Sequence, residues 1–308
     1  MGFKQYIIAN KSLLSGIAII MVILYHTRIT CFYPGFLGVD FFMFLSGFFL
    51  CFSFKKHNLL SFYKRRYKRI LPIFLLLALI KSILVGIESA SMSLWDLVCN
   101  FTTLSYYNLG GSFIDWYLCS LFIFYLFFPL FFQIMNRKDN LVTIILLLLL
   151  IFYIFMEMNL DWKYECALGR LPIFCMGIVA YSEGLDSDRK SKTFIITSFG
   201  LALISCILYV YCECIPVYYI FYLVAPLIFY ATCFLLKRMK LSHALQSFLC
   251  FCGNNSLEIY VGNVIAMTLC AFFEIDKIFY NSFLVIGLTV VSSIVCIKYN
   301  SLVQKLLR

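Results

Sequence analysis

Charge is what this sequence has least of. Asp, Glu, Lys and Arg supply 13% of its 308 residues, about half the share found in an ordinary soluble domain. With 63% of the residues hydrophobic, a water-soluble globule could not cover so much apolar surface. A disordered chain is excluded too, because disorder requires low hydrophobicity. The 25 Lys and Arg outnumber the 15 Asp and Glu. They nevertheless sit among apolar runs too long to face water, so no nucleic-acid partner is expected. There is no internal repeat and no low-complexity linker, which argues for a single domain over 1–308. Histidine occurs only three times. The close cysteine pairs Cys212/Cys214 and Cys250/Cys252 have no matching pair to complete a zinc pattern, so no metal site is expected. The cysteines read as small buried hydrophobes.

What is abundant is apolar sequence in long runs. A membrane-spanning helix needs about 20 mainly apolar residues. Segmentation on that length gives ten candidate spans: Leu13–Ile29, Phe36–Phe54, Leu71–Ile87, Phe113–Gln133, Leu141–Met156, Ala167–Tyr181, Phe194–Tyr211, Val217–Leu236, Leu257–Phe273 and Phe279–Ile297. Leu241–Cys252 is too short and mixed to span, and reads as an interfacial or re-entrant helix. Lys4 and Lys11 precede the first run as in a signal peptide. No small-residue cleavage site follows, so the run is read as a retained first span.

Placing the N-terminus in the cytoplasm puts 20 of the 25 basic residues on the inner side. These are Lys4 and Lys11, the seven from Lys55 to Arg69, Arg137 and Lys138, Arg189, Lys190 and Lys192, Lys237, Arg238 and Lys240, and Lys298, Lys305 and Arg308. That is the inside-positive bias of membrane proteins. The expected fold is all-α: a polytopic helical bundle of about ten spans with both termini cytoplasmic, integral to an inner membrane.

Ionisable groups inside spans are costly and point to function. His26 lies about 20 Å into the first span by helical rise. Asp40 opens the second span, and a short loop joins the two, so the geometry allows a His26–Asp40 hydrogen bond. That pair reads equally as a base with its orienting carboxylate and as a polar bond holding two helices together. Ser46 and Gly47 are small enough to serve close packing. Arg65, Arg66 and Arg69 fall in the densest basic cluster. If it is helical, Arg66 and Arg69 share a face suited to phosphates, although the plain reading is an anchor for anionic lipid. Trp116 and Tyr117 could be an aromatic belt. Lys81 could pair or snorkel. Arg170 could meet an anionic or sugar acceptor; Glu258 opens the ninth span and Asn263 lies about one turn further on.

Several motifs in order resemble the acyltransferase-three family of integral membrane proteins. They are Val22-Ile23-Leu24-Tyr25-His26, Gly38 to Phe48, Arg66-Tyr67-Lys68-Arg69-Ile70-Leu71-Pro72, Trp116-Tyr117-Leu118 with Tyr125 and Pro129, Arg170 to Gly177, and Ser256 to Tyr260. The resemblance covers nearly the whole chain. It implies transfer of an acyl group, commonly acetyl, from acyl-coenzyme A to a hydroxyl of a cell-surface carbohydrate or its lipid-linked precursor. His26 would then be catalytic, oriented by Asp40, with Arg65, Arg66 and Arg69 on the donor. Ser46, Trp116, Tyr117, Arg170, Glu258 and Asn263 would be acceptor-binding or structural. Acetyl-CoA would be a substrate, with no permanently bound cofactor. Membrane lipid and polysaccharide-assembly proteins are the remaining expected partners, in a bacterial cell envelope. Two positions depart from the family's usual pattern: Ser15 stands where Arg is common, and Asn263 where His is common. A lipid-linked glycan transporter, or an inactive relative serving assembly, stays open as an alternative.

Overall fold

In the computed structural model the described residues are 2–89, 92–112, 114–135, 161–182, 217–273 and 281–307. Among them every regular element is helical. The α-helices are α1 (Phe3–Ala9), α2 (Lys11–His26), α3 (Leu37–Lys56), α4 (Leu59–Ser89), α5 (Leu94–Phe101), α6 (Trp116–Met135), α7 (Trp162–Leu168), α8 (Leu171–Ser182), α9 (Val217–Arg238), α10 (His243–Asn254), α11 (Ser256–Phe272) and α12 (Asn281–Leu306). Short 3₁₀ turns occupy Thr30–Phe36 and Leu104–Tyr107.

Four of these stretches are long and apolar enough to cross a membrane: Thr30–Lys56, Leu59–Glu88, Trp116–Met135 and Phe283–Leu306. The number rises to six if the bent pairs α1–α2 and α10–α11 each count as one span. The expected spans Leu141–Met156 and Phe194–Tyr211 lie outside the described residues. Ala167–Tyr181, expected as one span, is divided between α7 and α8 around Gly169. The expected interfacial segment Leu241–Cys252 corresponds to α10, which is separated from α11 by a bend.

The basic cluster Lys64–Arg69 is helical. It forms the early turns of α4, whose 31 residues extend roughly 46 Å at 1.5 Å each, well beyond a hydrocarbon core of about 30 Å. Lys, Arg and Leu are good helix formers, so helix runs through the change from polar to apolar. Pro72 lies inside α4 and removes one backbone donor, freeing the carbonyl four residues back. That carbonyl belongs to Lys68, and the Gln304 side-chain amide donates to it at 2.9 Å.

The chain divides into two units. The first comprises Met1–Ala18, Leu37–Leu59 and Phe127–Gly253. Its core is α3 packed on α8, where Gly47 and Gly177 meet the other helix's backbone directly. A Cβ on Gly47 would collide with the Phe174 carbonyl, and one on Gly177 with the Phe44 carbonyl. Small residues at such crossings let helices approach closely in lipid. Phe229 of α9 packs against Phe3, Phe41 and Phe44 with ring centroids 4.3–6.5 Å apart. The start of α2 meets α10 in the same manner, Gly16 against the Leu249 carbonyl and Gly253 against that of Ser12.

The second unit comprises Ile19–Phe36, Leu60–Leu126 and Asn254–Arg308. Its core is the pair α11 and α12, with Gly262 pressed against the backbone of Ser293. Most of the described cysteines are buried, as expected of small hydrophobes.

Candidate active site

His26 is the last residue of α2. The helix stops there because Arg28 takes a left-handed conformation, φ 58°. The amides of Thr27 and Arg28 turn back onto the carbonyls of Leu24 and Tyr25 at 3.1 Å, and the Thr27 hydroxyl adds a bond to Leu24 at 2.6 Å. The following 3₁₀ turn folds against α2, with Gly35 on the Met21 carbonyl. Tyr25, Tyr33 and Phe36 form a ring cluster beside His26. These contacts fix where the imidazole emerges.

Nδ1 of His26 lies 2.5 Å from Oδ1 of Asn263 on α11. The next bonds give that contact a direction. The Asn263 amide donates from Nδ2 to the Thr289 hydroxyl oxygen at 3.0 Å, and the Thr289 hydroxyl donates to the Val285 carbonyl at 2.6 Å. Thr289 has therefore spent its proton and can only accept from Asn263. Oδ1 of Asn263, the acceptor end, is thereby turned toward the imidazole. A neutral imidazole can satisfy it only by carrying its proton on Nδ1. Nε2 is then a lone pair with no hydrogen-bond partner among the described residues, on a ring that is only half-buried. Asn263 and Thr289 are themselves buried, so the imidazole is held by a buried polar pair on two other helices.

One turn earlier on α11, the Tyr260 hydroxyl donates to Asp115 at 2.9 Å. Asp115 also accepts the Leu118 backbone N–H at 2.8 Å, which caps the start of α6. Tyr117 packs its ring 4.8 Å from that of Tyr260, while Trp116 beside it is half-buried and receives the Ser120 hydroxyl on its carbonyl at 2.5 Å. Lys81 on α4 donates to the Ile114 carbonyl, beside Asp115. Asn263 is thus held by bonds to α2 and α12, and by the neighbouring anchor of Tyr260.

On α4, Arg65 and Arg69 are exposed. Nε of Arg66 is buried and has no hydrogen-bond partner among the described residues; its guanidinium lies 5.9 Å from the Phe62 ring centre. Glu258 accepts from the Asn300 amide, and its second carboxylate oxygen is buried with no hydrogen bond among the described residues. Lys68 reaches the Leu307 carbonyl. These groups belong to the same unit as His26.

Asp40 belongs to the other unit. Its carboxylate lies 3.2 Å from Nε of Arg170, in a pair buried on both sides within the other unit. Within its own unit, His26 is bonded to Asn263. Arg170, expected near an acceptor, is the counterion of Asp40, and its Nη1 also donates to the Cys166 carbonyl at 2.9 Å. Ser46 lies half-buried next to the Gly47 crossing. Thr289, Asp115 and Tyr260 were not among the expected site residues, though each is a polar group in or at the end of an apolar helix.

The half-buried imidazole and its buried polar partners thus join α2, α11 and α12, of which α12 contains a stretch long and apolar enough to cross a membrane by itself, while α2 and α11 each belong to a bent pair that passes only together. A family model described as an acyltransferase domain matches residues 12–298, nearly the whole length, and the chain belongs to that family. By class it is a membrane acyltransferase. Comparisons with curated proteins and with solved structures give no match.

Proposed function

We propose that this protein moves an acyl group, acetyl in the first instance, from acyl-coenzyme A to a hydroxyl of a cell-surface carbohydrate or its lipid-linked precursor. The observation that carries the reading is the His26–Asn263–Thr289 relay, which leaves Nε2 of His26 as a proton acceptor. In this mechanism Nε2 takes the acceptor hydroxyl proton as that oxygen attacks the thioester carbonyl. The C–O bond forms and the carbonyl becomes a tetrahedral oxyanion. On collapse the C–S bond breaks, and the leaving thiolate regains its proton from the imidazolium. Asn263 plays the part an aspartate plays in a triad by fixing the tautomer, but without a charge to stabilise the imidazolium.

Arg65, Arg66 and Arg69 would receive the donor phosphates, since guanidinium forks match phosphate oxygens. The unsatisfied Nε of Arg66 supports that role. The donor is made in the cytoplasm, which agrees with the inside-positive reading of this cluster and with a bacterial inner membrane. Polysaccharide-assembly proteins would be the natural partners. The test is the cell-surface glycan of cells carrying His26→Ala: acetylation should vanish while the protein persists in the membrane at its normal level. Unchanged acetylation would remove the assignment.

A further inference from the structure

The segment between α4 and α6 is tightly built, and the proposed chemistry uses none of it. Ser93 and Asp96 form a reciprocal cap at the start of α5. Asp96 also accepts the Gly111 N–H at 2.8 Å. Asn100 ties the segment to α4 by donating to the Ser82 hydroxyl at 2.9 Å, and it closes the loop by accepting the Ser112 N–H at 2.8 Å. The Trp95 indole N–H donates to the Leu109 carbonyl at 2.9 Å.

On α5, Leu94, Trp95 and Val98 share one face, since residues three and four apart are neighbours on a helix, while Cys99 and Asn100 turn inward and are buried. The outward face is apolar and open. Leu94 is 83% exposed and Trp95 56%, with Val98, Tyr107 and Leu109 also exposed. On α4, a helix long and apolar enough to cross a membrane, Leu79, Ile83 and Ile87, four residues apart, are exposed as well. A sugar-binding platform would need polar groups around its aromatic ring. Here the indole N–H, Ser93 and Asp96 are spent within the segment, and Asn100 is spent on Ser82 of α4 and on the Ser112 N–H. The stretch from Met92 to Asp115 has no Lys or Arg, so its attraction to a bilayer does not depend on anionic headgroups.

We infer that the α5 segment is an interfacial anchor: Leu94, Trp95, Val98, Tyr107 and Leu109 seat in phospholipid acyl chains at the end of the helices where His26 lies. An apolar helix face of this kind sinks about 5–10 Å into the headgroup boundary. The link to the site is short. Asp115, three residues beyond Ser112, is bonded to Tyr260, one turn of α11 from the Asn263 that holds His26. The anchor therefore sets the depth at which the imidazole meets the interface. The inference does not rest on the acyl-transfer reading.

The experiment uses the full chain with Trp116→Phe and Trp162→Phe, which leaves Trp95 as the sole tryptophan, reconstituted in phosphatidylcholine vesicles. Lipid brominated near the headgroup should quench Trp95 more than lipid brominated near the chain end. Aqueous acrylamide should quench it weakly. Should the double variant fold poorly, the difference in quenching between the native chain and Trp95→Phe reports the same residue. Strong acrylamide quenching with no effect of brominated lipid would overturn the inference. So would protection of Trp95 by a soluble oligosaccharide, which would assign the face to glycan.

Discussion

Nδ1 of His26 and Oδ1 of Asn263 meet at 2.5 Å across 237 residues of sequence. Replacing Asn263 by Leu removes the acceptor that fixes the tautomer while keeping the volume. The loss of one strong hydrogen bond, about 1.5–3 kcal/mol, corresponds to a roughly 10–150-fold fall in kcat. Interhelical bonds in membranes contribute only about 0.6 kcal/mol to stability on average, so thermal stability in detergent should change little. His26→Gln should fall further, by about 10²–10⁴-fold, the usual contribution of a general base. Steady-state kinetics of acyl transfer in vesicles checks both. If Asn263→Leu retained full kcat, the relay would have no catalytic part.

Asp40 and Arg170 form a buried ion pair, so their effects should be strongly non-additive. Arg170→Met alone leaves a carboxylate buried without its charge partner, which costs about 3–5 kcal/mol. Adding Asp40→Leu removes that carboxylate and should restore most of the loss. Thermal inactivation of the purified single and double variants measures the coupling. Equal stability of the two would show that Asp40 finds another partner once Arg170 is gone.

The apolar runs were enough to reveal an all-helical membrane chain, and the motif order was enough to reveal the family. Sequence gave less about how each helix is turned. The short loop between the first two spans placed His26 and Asp40 at similar depth. Depth does not show that α3 packs closely on α8 at the Gly47–Gly177 crossing, beside the Arg170 that pairs with Asp40. Asn263 looked like the loss of a histidine because its partners, His26 and Thr289, lie on other helices. The start of α4 was missed because hydropathy registers the apolar run from Leu71 onward, whereas the helix begins at Leu59 among good helix formers.

Arg66 and Arg69, one turn apart on α4, should act on the donor alone. Arg66→Gln with Arg69→Gln should raise KM for acyl-CoA by roughly 10–150-fold per lost charge-assisted bond, leaving kcat within a few-fold. A loss of uniform binding has this signature. The response should also weaken with salt, because phosphate contacts are screened. Acyl-CoA titrations of the purified protein test it, and an unchanged KM would return the cluster to a lipid-anchoring role.

Asp96 makes the α5 segment sensitive to acid. The Ser93 hydroxyl, then the backbone N–H groups of Ser93 and Gly111, hold its carboxyl below the usual carboxylate range. The folded form thus prefers the ionised group more than the unfolded chain does. The stabilisation is fully present above the ordinary aspartate value of about 3.9 and is lost as pH falls through the lower folded value. Amide exchange at Leu97 and Gly111 should accelerate over that acidic window, and Trp95 should become open to acrylamide with it. In Asp96→Asn the amide cannot ionise, and its single carbonyl oxygen cannot serve both Gly111 and the Ser93 cap. The variant should therefore exchange faster at neutral pH and show no acid step. An acid step surviving in Asp96→Asn would mean that another group controls the loop.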